Sequence, residues 1–150
     1  MPKRSECPRS GCPLTNALEL IGDRWSLLVV RDIMIFNLHE FREFLESGEG
    51  VATNILSDRL KTLSSEGIIS SIKHPTNGTK KLYYLTEKGK SLYPLMRELI
   101  LWGDENCEGS RAPQDKIDFL RNHAEAAREE LMGTLTLWEE EHLPGIPSVA

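Results

Sequence analysis

A chain of 150 residues, 39% hydrophobic and 27% charged, has the makeup of a soluble globular protein. It is long enough for one domain with a real core plus an appendage. No apolar run approaches the roughly 20 residues of a membrane span, and the opening MPKRSECPRSG lacks the apolar stretch of a secretory signal. A cytoplasmic protein without a membrane partner is therefore expected. The net charge of −5 is unevenly spread. Residues 1–90 carry 13 Lys and Arg against 11 Asp and Glu, and residues 91–150 carry 5 against 12. Acid collects in the C-terminal part, and the mildly basic N-terminal part permits a polyanionic partner.

Residues 1–12 read as a flexible arm with Lys3, Arg4 and Arg9. Pro13 suits the first turn of a helix, where its missing N–H costs nothing. Leu14, Ala17, Leu18 and Ile21 give that helix one apolar stripe, and Gly22 closes it. Asp23 is placed to cap a second helix, Trp25–Phe36. That helix is apolar on nearly every side and should be the buried centre of a domain spanning residues 13–90.

Asn37–Glu40 reads as a turn or short extended piece, and Asn37 with Glu40 fits a capping box. Phe41, Phe44 and Leu45 mark a short third helix, followed by the glycine turn Gly48-Glu49-Gly50. A fourth helix follows over Thr53–Ser65. Its apolar residues Ile55, Leu56, Leu60 and Leu63 form one stripe. Asn54, Ser57, Asp58, Lys61 and Ser65 occupy the opposite face. Gly67 suits the left-handed position after the helix end. Short, hydrogen-bonding side chains on an exposed face fit the major groove of DNA, although an ordinary amphipathic surface helix carries the same periodicity.

Two strand candidates come next, Ile68–Lys73 and Lys81–Leu85, joined by a turn with the Asn77-Gly78 signal. Lys73, His74, Lys80 and Lys81 bracket the tip. A basic hairpin directly after helix-turn-helix reads as a wing whose cations meet phosphate. The same lysines would also guard an edge strand against aggregation.

Thr86 is placed to cap a fifth helix with the stripe Leu92, Leu95, Met96, Leu99 and Ile100, in which Pro94 kinks or delays the start. Glu105–Gln114 reads as a break. A last helix from about Asp115 carries a seam of Ile117, Leu120, Ala124, Ala127, Leu131 and Trp138 at coiled-coil spacing. A second subunit, or the same chain folding back, would bury it. Residues 91–150 are thus a dimerisation helix with a helical extension. Three cysteines, Cys7, Cys12 and Cys107, are too few and too scattered for a disulfide framework or a zinc site. His39, His74, His123 and His142 are dispersed, and no phosphate-cradling loop is present. No metal, no cofactor and no enzymatic activity are expected.

Several segments together carry a family resemblance. Cys12-Pro13, Ala17-Leu18, Ile21–Trp25, Thr53–Leu60, Tyr84–Gly89 and Trp102-Gly103 resemble the HxlR family of transcriptional regulators, distantly related to the MarR type. The resemblance covers roughly residues 7–105. It implies a mainly α (α+β) winged helix-turn-helix with a two-stranded wing, acting as a homodimer on double-stranded DNA with a near-palindromic operator. Reading then falls to Thr53, Asn54, Ser57, Asp58 and Lys61, and phosphate contact to the wing residues Lys73, His74, Lys80 and Lys81. Dimerisation through the terminal helices points to Leu92, Leu95 and Leu99, with Ile117, Leu120, Leu131 and Trp138 from the seam. Some members sense oxidants or electrophiles through a cysteine beside the first helix, the position of Cys12; Cys107 of a second subunit, then Cys7, are thiols it would pair with. Asp58 departs from a phosphate-friendly residue. Pairing with Lys61 or accepting from a cytosine amino group would accommodate it. Arg59 lies toward the apolar stripe and reads as structural. The competing function is a winged-helix protein-interaction module without DNA binding.

Overall fold

The computed structural model describes residues 10–143 and residue 145. Lys3, Arg4, Cys7 and Arg9 of the expected arm lie outside the described residues. The chain divides into two compact units, Met1–Lys90 and Ser91–Ala150.

In the first unit, α1 (Pro13–Ile21) and α2 (Ser26–Met34) precede the short α3 (Phe41–Leu45) and α4 (Thr53–Ser65). An antiparallel hairpin of β1 (Ile69–Lys73) and β2 (Lys81–Leu85) follows, and α5 (Glu87–Lys90) ends the unit. The core is Val29, Val30, Ile33 and Met34 of α2, packed with Phe44, Leu56, Leu60, Leu63, Ile69 and Leu85.

Asp23 caps α2 as expected: its Oδ2 accepts the N–H groups of Trp25 and Ser26, each at 2.9 Å. The helix is shorter than Trp25–Phe36. It ends at Met34, and Phe36 lies 53% exposed beneath the Arg31 guanidinium. The α1 stripe is not a core face. Ile21 is buried, whereas Leu14 and Leu18 are 67% and 56% exposed. Gly22 stays right-handed at φ −78°, its N–H donating to the Leu18 carbonyl. The capping box of α3 pairs Glu40 with Glu43, not Asn37 with Glu40. Asn37 is instead held left-handed at φ 53°, a conformation Asn tolerates better than most residues. Its side-chain oxygen lies 2.8 Å from Nε2 of His39.

The end of α4 is a Schellman motif. Gly67 adopts φ +73°. The Ile68 N–H donates to the Leu63 carbonyl at 2.9 Å and the Gly67 N–H to the Ser64 carbonyl at 3.1 Å. This turn delivers the chain directly into β1. The hairpin register runs from Ile69 opposite Leu85 to Lys73 opposite Lys81. A bridge between Glu40 and Leu82 ties its second strand to the segment before α3.

The second unit holds α6 (Tyr93–Asn106), α7 (Gln114–Asn122) and α8 (Ala124–His142). The expected fifth helix is therefore two, α5 and α6. Thr86 does cap α5, accepting the Gly89 N–H at 3.2 Å. Pro94 sits in the first turn of α6, and its ring would clash with the carbonyl four residues back were the helix continuous. The expected last helix is also broken, at His123 (φ −132°, ψ 54°). Arg97 of α6 explains the break. Its Nε and Nη2 donate to the carbonyls of Leu120 and Arg121, both at 2.9 Å. Those are acceptors a continuing helix would need. The Tyr93 hydroxyl donates to the Ala124 carbonyl at 2.8 Å. Ile117, Ala127 and Leu135 are buried within this single chain, so Ile117 is not free to meet a second subunit. Leu120, Leu131 and Trp138 are half-buried, and the Trp138 ring stacks on His142 at 4.4 Å.

Candidate nucleic-acid interface

Burial divides α4 cleanly. Leu56, Leu60 and Leu63 face the core, while Ile55 sits at the rim, 37% exposed. Thr53, Asn54, Asp58 and Lys61 are exposed and Ser57 is half-buried. Ser65 spends its hydroxyl on the Thr62 carbonyl at 2.9 Å. A row of short donors and acceptors thus stands proud of a helix whose other side is locked in the core.

Asp58 does not pair with Lys61. Its Oδ2 accepts from Arg59 Nη2, and Arg59 Nη1 reaches Asp23 Oδ1 at 3.5 Å. Arg59 is thus structural, as its position toward the stripe predicts, and it connects α4 to the cap of α2. Asp23 also takes the Ser26 hydroxyl at 2.5 Å. Burial pushes the Asp23 carboxyl upward, but hydrogen bonds from Ser26 and Trp25 and the charge of Arg59 outweigh it and hold the pKa below the usual range. Sequence reasoning missed this bridge, because the cap at residue 23 and the arginine at 59 meet only in the fold.

The glycine turn before α4 has Gly48 at φ +99° and Gly50 at φ +71°. Between them Glu49 pairs with Arg31 of α2 at 2.7 Å. Arg31 also holds Asp32, which is 3% exposed. Burial raises the Asp32 pKa in spite of Arg31. These pairs fasten the turn that aims α4.

In the wing, the His74 N–H donates to the Lys80 carbonyl at 2.9 Å and the Lys80 N–H to the Asn77 carbonyl at 3.0 Å. Asn77 Oδ1 accepts from the Thr79 hydroxyl at 2.7 Å. Lys73, Lys80 and Lys81 are exposed, and neither they nor Lys61 make an ion pair among the described residues. His74 differs from the lysines: its ring is half-buried, with Nε2 3.6 Å from Glu40 Oε1.

Cys12 is exposed at the N-cap of α1. The Thr15 N–H, then the Thr15 hydroxyl and the Leu14 N–H, lower its thiol pKa, as expected where helix N–H groups favour a thiolate. Cys107 is exposed just past α6. Leu95, Leu99 and Trp102 of α6 are exposed, Trp102 by 61%, and Leu92 is half-buried. Among the described residues no group of three or more His, Cys, Asp or Glu is placed to hold a metal. No helix there is long and apolar enough to cross a membrane.

Two helices joined by a glycine turn, an outward polar face on the second, and a basic hairpin directly behind it define a winged helix-turn-helix protein. The HxlR-like helix-turn-helix family model matches residues 20–111, and the chain belongs to this family of transcriptional regulators. The uncharacterized HTH-type transcriptional regulator Rv3095 of Mycobacterium tuberculosis is 34% identical over 108 residues, covering 72% of this chain and 65% of that protein. The chain thus spans just under two thirds of that relative's length. The crystal structure of PA1607 superposes with a TM-score of 0.62 at 35% identity, covering 70% of this chain and 72% of that one. The redox regulator HypR in its reduced form gives 0.56 at 28%, covering 65% and 95%. Residues 112–150, with α7 and α8, lie beyond the family match.

Proposed function

We propose that the protein is a homodimeric, sequence-specific DNA-binding transcriptional regulator of the cytoplasm, without enzymatic activity. The observation that carries this is the outward face of α4: Thr53, Asn54, Asp58 and Lys61 exposed over buried Leu56, Leu60 and Leu63. Asn54 has the amide geometry for adenine, Ser57 serves either base type, and Lys61 reaches guanine or phosphate. Lys73, Lys80 and Lys81 supply phosphate contacts, with His74 beside them at the tip end of the wing. A two-fold dimer places its reading helices about one helical turn apart, roughly 34–36 Å, on a near-palindromic operator. The test is fluorescence anisotropy of the full chain on DNA upstream of its own gene across a salt series. Affinity that falls steeply with salt supports the reading, because displaced phosphate counterions produce that slope. Binding absent at every salt concentration overturns it and favours the protein-interaction module.

The exposed, acidified thiol of Cys12 supports an oxidant or electrophile response. Oxidation to a sulfenic acid places polarity and bulk beside α1. Mild peroxide or quinone treatment should then change DNA binding of the wild type and spare Cys12→Ser. Equal loss in both proteins, or in neither, makes Cys12 structural.

A further inference from the structure

We propose that Asp58 is a specificity-determining residue that selects cytosine in each half-site, and that the Arg59–Asp23 bridge is the positioning device that aims its carboxylate. The inference rests on the reading of α4 as a major-groove helix. A carboxylate on such a face is poorly suited to phosphate: it repels the backbone. It also disfavours guanine and thymine, whose major-groove edges present acceptors, and it accepts from the exocyclic amino group of cytosine; adenine has such a group too, but sets its N7 acceptor beside it, against the carboxylate.

The local geometry is built to hold that acceptor. Asp58 is 64% exposed at its side chain, and Arg59, next in sequence, takes Oδ2 alone. No hydrogen bond within the described residues occupies Oδ1, so one acceptor of the carboxylate is left for a base. Arg59 is itself fixed. Its side chain is 23% exposed, with Nη1 3.5 Å from Asp23 Oδ1. Asp23 in turn is pinned by the Ser26 hydroxyl and by the N–H groups of Trp25 and Ser26. The carboxylate at the surface is thus tied, through one guanidinium, to the start of the most buried helix of the unit. Arg59 also offsets the negative charge of Asp58, which keeps the helix face acceptable to DNA. Lys61, three residues on and without an ion pair among the described residues, remains available to phosphate or guanine.

The experiment is selection of a randomised duplex library by the full-length chain, followed by sequencing of bound DNA, for wild type, Asp58→Asn, Asp58→Ala, Arg59→Gln and Asp23→Asn. Wild type should enrich cytosine at one position of each half-site, by about 5- to 100-fold over guanine or thymine. Both Asp58 variants should lose that preference and keep those at the other positions. Arg59→Gln and Asp23→Asn, the latter retaining a good helix cap, should weaken the same position and leave the salt slope unchanged. A merely structural role would weaken every position together. An Asp58→Asn motif identical to wild type, or guanine enriched at that step, overturns the proposal while leaving DNA reading intact. Failure of the wild type to retain any DNA overturns the functional reading and this inference with it.

Discussion

The carbonyl oxygen of Tyr83 in β2 lies 2.7 Å from Nδ1 of His39, and the His39 carbonyl accepts the Tyr83 N–H at 2.8 Å. A carbonyl only accepts, so Nδ1 carries the proton. One histidine, 4% exposed, thereby joins the wing to the segment between α2 and α3 through both side chain and main chain. His39→Ala removes the side-chain half and leaves the half-buried Tyr83 carbonyl without its donor. The expected cost is about 1–3 kcal/mol, measured by urea denaturation. DNA affinity should fall beyond the unfolded fraction, because the wing loses an anchor.

Asp23 makes acid stability a readout of the cap. Its folded pKa lies below its ordinary value. Its contribution is therefore present above that ordinary value and is lost as pH falls through the folded value. Asp23→Ala should cost about 0.5–2 kcal/mol at neutral pH, and the gap from wild type should close under acid. Asp32 has the opposite sign. Burial raises its pKa, so its ionised form costs stability and acid relieves that cost. Asp32→Asn should flatten the decline as pH rises through the raised value. Denaturation midpoints over a pH series check both, and a gap for Asp23→Ala that stays constant into acid contradicts the assignment.

The wing lysines should behave as phosphate contacts. Each contact removed from the set Lys73, Lys80 and Lys81 should lower the salt slope of DNA binding by about 1, with sequence preference unchanged. A triple Ala variant with the wild-type slope would take the wing off the DNA.

Dimerisation should depend on α6. Leu95, Leu99 and Trp102 are exposed while Tyr93, Met96 and Leu101 of the same helix are buried, so α6 carries an apolar face that the single chain leaves open. Leu99→Glu should shift sedimentation from dimer to monomer with the fold retained. Ile117→Glu, at a position closed within one chain, should instead unfold the second unit. A dimeric Leu99→Glu places the interface elsewhere.

Local rules made much of the domain legible. Pro13, Asp23, the glycine turn and Gly67 each report on their own few residues, and α4 and β2 have the bounds their periodicity predicts. The face of α4 was legible too, since a 3.6-residue repeat separates Leu56, Leu60 and Leu63 from Asn54, Asp58 and Lys61. The stripe of α1 was legible as apolar but not as open, because periodicity shows that a face must be covered and not by what.

The sequence by itself determined the order of elements from α1 to β2, the basic wing, the polar face of α4 and the thiol at a helix start, since each follows from neighbours a few residues apart. Tertiary structure alone decided the rest. Arg97 takes the carbonyls of Leu120 and Arg121 and so divides one seam into α7 and α8. Arg59 takes Asp58 in place of Lys61 and spans on to Asp23. Ile117 is closed inside the chain while Leu99 is left open. From Arg97 to Leu120 and Arg121, and from Arg59 to Asp23, the partners stand 23 to 36 positions apart. A guanidinium with several donors goes to whichever oxygens the packed fold brings within about 3 Å, and chain order places no mark on that choice.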